Sequence, residues 1–297
     1  WKAMPELSAG RSAPIAFTRD DSAAYFTCPA SDGFGICRWT QAKPSLEEVW
    51  SNPQVEPDGL MRGLAEDDIA GVTFMNGRAS IVPFDMQSPA AQALVALMKH
   101  FPGESVQFVS GTRDGKQTVV LVQADADPGT FYLFDSGTDN LELLLQRASW
   151  INPGVMATKQ PFEFAARDGM KLQGYVSYPP GHVQAKQLPT VVMVHGGPFG
   201  VRDRWDYDPE VQALATHGYA VVQVNFRGSS GHGYDFEKAG WREWGGKMQD
   251  DVTDATRWAI AQGIADPKRL CIYGASYGGY AALEGAVKEP DLYKCAI

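Results

Sequence analysis

The chain has 297 residues, 44% hydrophobic and 21% charged, with a formal net charge of -9. This is ordinary globular composition for roughly two domains, and the acidic balance argues against a nucleic-acid surface. No apolar run reaches the ~18 residues of a membrane span, and no leader of basic and then apolar residues is legible after Trp1.

Residues 1–150 read as short strands broken by turns. Segments 14–17 and 23–27 flank Thr18-Arg19-Asp20-Asp21-Ser22, and segments 106–110 and 118–122 flank a turn at Asp114-Gly115. Asp127-Pro128-Gly129 turns the chain into 130–135, and 141–145 closes the set. Strands at this spacing indicate antiparallel β architecture, and the repeated order hints at four-stranded units of the kind found in propeller blades. One helix interrupts them. Ser88 is its N-cap, Pro89 suits the first position, and Pro102-Gly103 stops it after His100. Its core face is expected at Leu94, Leu97 and Met98, with His100 structural.

The four cysteines read either as core thiols or as two pairs. Cys28 and Cys37 flank a segment able to turn a hairpin, while Cys271 and Cys295 sit in apolar segments that can be neighbouring strands. No pair has metal-ligand spacing. A Cys28–Cys37 bridge would favour an oxidising compartment, so the expectation leans to an exported or periplasmic protein over a cytoplasmic one.

The domain boundary is expected at about residue 150, near Asn152-Pro153-Gly154. Segments 161–166 and 171–178 then form a hairpin around Arg167-Asp168-Gly169. Beyond it the alternation changes. Apolar strands at 190–194, 220–224 and 270–273 alternate with helices at 210–217, 248–262 and 281–288, and 292–297 begins another strand. Strands apolar on both faces between helices indicate a parallel α/β sheet.

The chemistry gathers at two strand ends. Gly274-Ala275-Ser276-Tyr277-Gly278 lies between an apolar strand and a helix, the context of a nucleophile elbow. There the turn thrusts the Ser276 hydroxyl clear of the sheet, the glycines allow close approach, and the Tyr277 N–H can bind an oxyanion. The plain alternative is a glycine-rich turn that happens to hold a serine. The strand at 190–194 ends in His195-Gly196-Gly197-Pro198, a loop able to offer a second N–H donor. His195 ends a strand on the wrong side of the topology for a general base, and His217 and His232 read as surface or loop residues. No histidine follows Ser276, although this fold orders its triad as serine, acid, histidine. The triad acid and histidine are therefore expected beyond Ile297, with the chain a fragment.

The chain resembles the prolyl oligopeptidase family of serine peptidases, and most closely its acylaminoacyl-peptidase and dipeptidyl-peptidase-like branch. The resemblance rests on His195-Gly196-Gly197-Pro198-Phe199-Gly200, Asn225-Phe226-Arg227-Gly228-Ser229, Trp244-Gly245 with Asp250-Asp251-Val252, and Gly274 to Tyr280. Residues 127–135 look like a late propeller blade of such enzymes. The resemblance implies part of an all-β propeller over 1–150 and, over 151–297, the N-terminal part of an α/β-hydrolase domain on a mostly parallel sheet. It implies Ser276 as the acylated nucleophile and N–H groups of Gly197 and Tyr277 as the oxyanion hole. It leaves open an oxyanion contact from His195, and it gives Arg227, Trp244 and Asp250 structural roles. No metal or organic cofactor is implied; the partner is a short peptide, without nucleic acid or a membrane span, and homo-oligomerisation is open. The other readings are a carboxylesterase or lipase and a non-catalytic scaffold.

Overall fold

The computed structural model describes residues 12–30, 33–183 and 185–297. The tip of the hairpin between Cys28 and Cys37, at Ser31 and Asp32, lies outside the described residues, as do residues 1–11 of the expected first domain. The chain divides into two compact units, the first holding 1–123 with 129–147, the second 124–128 with 148–297. The expected single cut near 150 misses the short excursion at 124–128. That piece belongs with the second unit because the Asp125 carboxylate accepts the Lys159 N–H and its carbonyl accepts from Gln212 Nε2 at 2.9 Å.

The first unit is nearly all antiparallel sheet. Strands β1 (Ala13–Phe17), β2 (Ala23–Ala30), β3 (Gly33–Thr40) and β4 (Glu47–Asn52) form a four-stranded meander. Strands β5 (Pro57–Arg62), β6 (Ile69–Asn76) and β7 (Arg78–Pro83) form a three-stranded sheet. After helix α1 (Pro89–His100), β8 (Ser105–Gly111), β9 (Gln117–Gln123), β10 (Thr130–Asp135) and β11 (Asn140–Gln146) make a second four-stranded meander. Ser88 caps α1, its Oγ accepting from Ala91 N at 3.2 Å. The buried face of α1 is Ala90, Ala91, Leu94 and Leu97. Met98 departs from expectation: it is 44% exposed. One residue on from Leu97 is a rotation of about 100°, which carries its side chain off the stripe.

The second unit is built on a six-stranded sheet. Strands β12 (Lys159–Ala165) and β13 (Lys171–Ser177) form the expected hairpin, followed by β14 (Leu188–Val194), α2 (Pro209–Thr216), β15 (Ala220–Asn225), α3 (Tyr234–Lys238), α4 (Lys247–Ala261), β16 (Ala265–Gly274), α5 (Tyr277–Lys288) and β17 (Cys295–Ala296). The sheet order is β12-β13-β15-β14-β16-β17. The β12, β13 and β15 pairings are antiparallel; β15, β14, β16 and β17 run parallel. Val192, Val222, Val224, Leu270 and Ile272 fill the sheet's core positions against Val252, Ala255 and Ala259 of α4 and Ala281 and Ala282 of α5. Central strands covered by helices on their faces must be apolar on both sides, and β15 is buried along its whole length. Among the described residues no helix is long and apolar enough to cross a membrane.

The cysteines are not four core thiols. Cys28 is bonded to Cys37 across β2 and β3, with Cα atoms 5.9 Å apart, and Cys271 to Cys295 across the parallel pair β16 and β17, at 4.7 Å. Both separations lie within the span a disulfide bridges. Alkylation of the denatured, unreduced protein is expected to leave all four cysteines unmodified, and to modify all four after reduction. Modification of Cys271 or Cys295 before reduction would contradict the second bridge.

Candidate active site

In a parallel sheet, sites form outside the carboxyl ends of strands at the point where successive strands are added in opposite directions. That point here is β14. The chain adds β15 on one side of it and β16 on the other. Val194, the last residue of β14, is paired with Gly274, the last of β16. His195-Gly196-Gly197 and Ala275-Ser276 thus leave the sheet side by side.

The second of these segments is a sharp turn. Ser276 has φ 59° and ψ -121°, a combination that side chains with a Cβ rarely adopt, and the residue is exposed. Ala275 O accepts from Gly278 N at 2.9 Å and Ser276 O from Tyr280 N at 3.1 Å, so α5 starts immediately. Two glycines make the turn possible. A Cβ on Gly274 would lie 2.5 Å from the Gly278 carbonyl carbon, and one on Gly278 would collide with the Val194 carbonyl oxygen. Tyr277 is the first residue of α5, so its N–H has no acceptor within the helix.

The glycine loop after β14 lies beside this turn. A Cβ on Gly196 would sit 3.6 Å from Ser276 Cβ and 3.4 Å from Ala275 O. Gly197 is exposed, with φ 111°. His195 is turned inward. Its Nδ1 is 2.7 Å from Gly196 O and its Nε2 2.9 Å from Ser229 Oγ, and its ring lies flat on Phe226 at 4.3 Å. Among the described residues no side-chain hydrogen bond joins Ser276 to a histidine. His100 and His182 are exposed, and the exposed His217 bonds back to Ala213 O at 2.7 Å. His232 lies in the loop before α3, one of the two expected settings. It is half-buried 5.0 Å from Phe236, and burial, then the charge of Arg202, pushes its pKa down to about 4.

An aromatic run joins the two loops. Phe226, fully buried, stacks on His195 on one side and meets Tyr277 at 5.4 Å on the other; Tyr277 in turn meets Trp244 at 5.0 Å and Tyr280 at 5.8 Å. The Tyr277 ring is 3% exposed, and burial raises the pKa of its hydroxyl. Phe226 is held by its neighbour. The Arg227 N–H and Nε both donate to Asp251 Oδ2, at 2.9 and 2.8 Å, and Nη2 donates to Asp251 Oδ1 at 2.7 Å. Arg227 Nη1 and Nη2 reach Asp168, in the β12–β13 turn, at 2.8 and 3.1 Å. Asp250, the preceding residue on α4, faces Lys288 at 3.1 Å and Arg167 at 3.2 Å. Behind the glycine loop, Asn225 holds the backbone of Asp203, whose buried carboxylate accepts from Gln223 Nε2 at 2.7 Å. Phe226, Ser229 and Asp251 support the site; they lie inside segments on which the resemblance rests, but no role was assigned to them there. The signals that could have found them are Asn225-Phe226-Arg227-Gly228-Ser229 directly after an apolar strand, and the acidic pair opening α4. Among the described residues no group of three or more His, Cys, Asp or Glu side chains is arranged to hold a metal ion.

Residues 205–297 match the model of the prolyl oligopeptidase family. The chain carries a prolyl oligopeptidase family domain. It is 37% identical over 216 residues to dipeptidyl aminopeptidase BIII of Pseudoxanthomonas mexicana, covering 70% of this chain and 31% of that protein. It is 32% identical over 216 residues to dipeptidyl peptidase family member 6 of Caenorhabditis elegans, covering 66% of this chain and 29% of that one. The chain thus spans about a third of the length of these relatives. In fold it is similar to a puromycin-hydrolysing peptidase of Mycobacterium tuberculosis, with TM-score 0.70, 22% identity, and 95% of this chain and 43% of that one covered. It is likewise similar to a prolyl endopeptidase, with TM-score 0.69, 18% identity, and 95% and 41% covered. The family match takes in α2 to β17, hence the elbow and the Arg227 pair, while the His195-Gly196-Gly197 loop lies upstream of it.

Three outcomes test this geometry. Asp251→Ala leaves the buried Arg227 without its main partner and is expected to cost about 3–5 kcal/mol in denaturant unfolding. The Arg227 hydrogen bonds hold the half-exposed Asp168 carboxyl down at a pKa of about 2. Its stabilisation is therefore complete above about pH 4 and lost as pH falls through about 2, and Asp168→Asn should flatten unfolding stability across that window. Separately, glycine adopts the Ser276 conformation without strain, so Ser276→Gly is expected to be about 1 kcal/mol more stable than Ser276→Ala, despite glycine's larger chain entropy. Equal stabilities would argue against strain at this turn.

Proposed function

We propose that this chain carries the nucleophile and oxyanion site of a serine peptidase acting on short peptides. In this reading the first unit is part of a β-propeller and the second is the N-terminal part of an α/β-hydrolase domain. The observation that carries it is Ser276: an exposed serine in a strained strand-to-helix turn, beside a glycine loop that leaves the neighbouring parallel strand at the paired residue.

In the reaction a base takes the Ser276 proton while Oγ attacks the scissile carbonyl carbon. The carbonyl π electrons move to oxygen, and the N–H groups of Tyr277 and Gly197 stabilise that charge. The tetrahedral adduct collapses as the amine leaves with a proton returned by the base. Water then attacks the acyl-enzyme ester by the same route and restores Ser276. The base in this reading is a histidine that follows the serine in chain order, with an acid between them. Peptides as substrates are supported by the names of two relatives, a dipeptidyl aminopeptidase and a dipeptidyl peptidase family member. No step calls on a metal or organic cofactor.

A fluorophosphonate probe applied to the full-length protein is expected to modify Ser276, identified by peptide mass, and Ser276→Ala should abolish both labelling and hydrolysis of a short-peptide anilide. Labelling that survives the substitution would overturn the assignment. Turnover of simple esters with none of peptide anilides would move the reading to an esterase.

A further inference from the structure

Both ring nitrogens of His195 are engaged inside the protein. A carbonyl oxygen can only accept, so the 2.7 Å contact with Gly196 O puts a proton on Nδ1. Nε2 lies 2.9 Å from the Oγ of the fully buried Ser229, whose hydroxyl donates to Phe226 O at 2.7 Å. The ring is stacked on Phe226, with planes 16° apart, so it cannot swing without leaving that contact. Neither nitrogen is free to contact a substrate oxygen.

The peptide joining Gly196 to Gly197 is trans and planar, so its C=O and N–H point in opposite directions. Whatever holds the Gly196 carbonyl also sets the direction of the Gly197 N–H. Two successive glycines have no conformational preference strong enough to do this themselves. We infer that His195 is a positioning residue. Its Nδ1–H clamps the Gly196 carbonyl, and the rigid peptide plane turns that clamp into the aim of the Gly197 N–H. The inference rests on the reading of Gly197 as an oxyanion donor, and it replaces a direct oxyanion contact by His195 with an indirect one. The clamp has its own foundation. Ser229 and Phe226 fix the ring, and the Arg227–Asp251 pair fixes Phe226.

The test compares the full-length wild type with Ser276→Ala, His195→Ala, His195→Asn and His195→Gln. The readouts are kcat and KM on a short-peptide anilide and the rate of fluorophosphonate labelling. Asn places an N–H donor near the Nδ1 position; Gln places one near Nε2. Loss of an oxyanion donor outright costs about 10²–10³ in kcat, so a donor left unaimed in His195→Ala should cost about 10–100-fold in kcat, with KM within about twofold. His195→Asn should recover to within about threefold of wild type, and His195→Gln should not. If His195→Ala does not fold, the Asn and Gln variants carry the comparison. A kcat unchanged in His195→Ala, a loss confined to KM, or equal recovery by Gln and Asn would overturn the inference. A wild type that neither hydrolyses the anilide nor labels at Ser276 would instead sink the reading of the site itself.

Discussion

The site depends on one close backbone approach. Gly278, in the first turn of α5, lies against the carbonyl of Val194 at the end of β14, where any Cβ would collide. That contact lets α5 start directly over the seam between β14 and β16, and the Val194–Gly274 pairing brings both loops to the same level of the sheet. A side chain at 278 would have to lift the helix or part the strands. Either movement separates the Ser276 turn from the glycine loop. The cost of packing an extra methyl against rigid backbone is about 1–3 kcal/mol where neighbours can yield. Here the neighbour is a carbonyl within a paired parallel strand, which has little room to yield.

Electrostatics serves this geometry from behind. A buried arginine between two carboxylates is not a cheap source of stability, because desolvation offsets most of the attraction. What the Arg227 fork supplies is direction. It ties the end of β15 to α4 through Asp251 and to the β12–β13 turn through Asp168. Phe226, one residue earlier, is thereby held between the His195 and Tyr277 rings. Three segments that meet only in the folded state are set by one side chain, so local order at the site is coupled to completion of the sheet.

Features written in neighbouring residues were legible in the sequence. The Ser88 cap and Pro89, the hairpin at Arg167-Asp168-Gly169 and the elbow all depend on a few consecutive positions, and each appears where local chemistry puts it. Strands β3 to β7 were not singled out; β5, Pro57-Asp58-Gly59-Leu60-Met61-Arg62, mixes glycine, proline and charge with few apolar residues, and even the more apolar β6 has no strict alternation. Their strand character comes from pairing, and pairing is not a local property. The antiparallel junction of β13 with β15 brings segments nearly fifty residues apart to a strand spacing of about 4.8 Å, and no periodicity announces it. Asp251 was quoted within a motif, yet its role emerges only once Arg227 is placed over it.

The two proposed donors are fixed by different means, and this asymmetry follows from their sequences. Tyr277 N–H is set by α5 itself, because a residue at the first helical position has its amide directed along the helix axis whatever its side chain does. Gly197 N–H belongs to a glycine pair with wide freedom at φ and ψ, so its direction must be imposed from outside. The ring of His195 holds this peptide by a hydrogen bond, and it does so through a carbonyl and not through the N–H. Sequence change is therefore more readily tolerated at the Tyr277 side chain, where only packing is at stake, than at His195, where packing and the orientation of a peptide plane are joined.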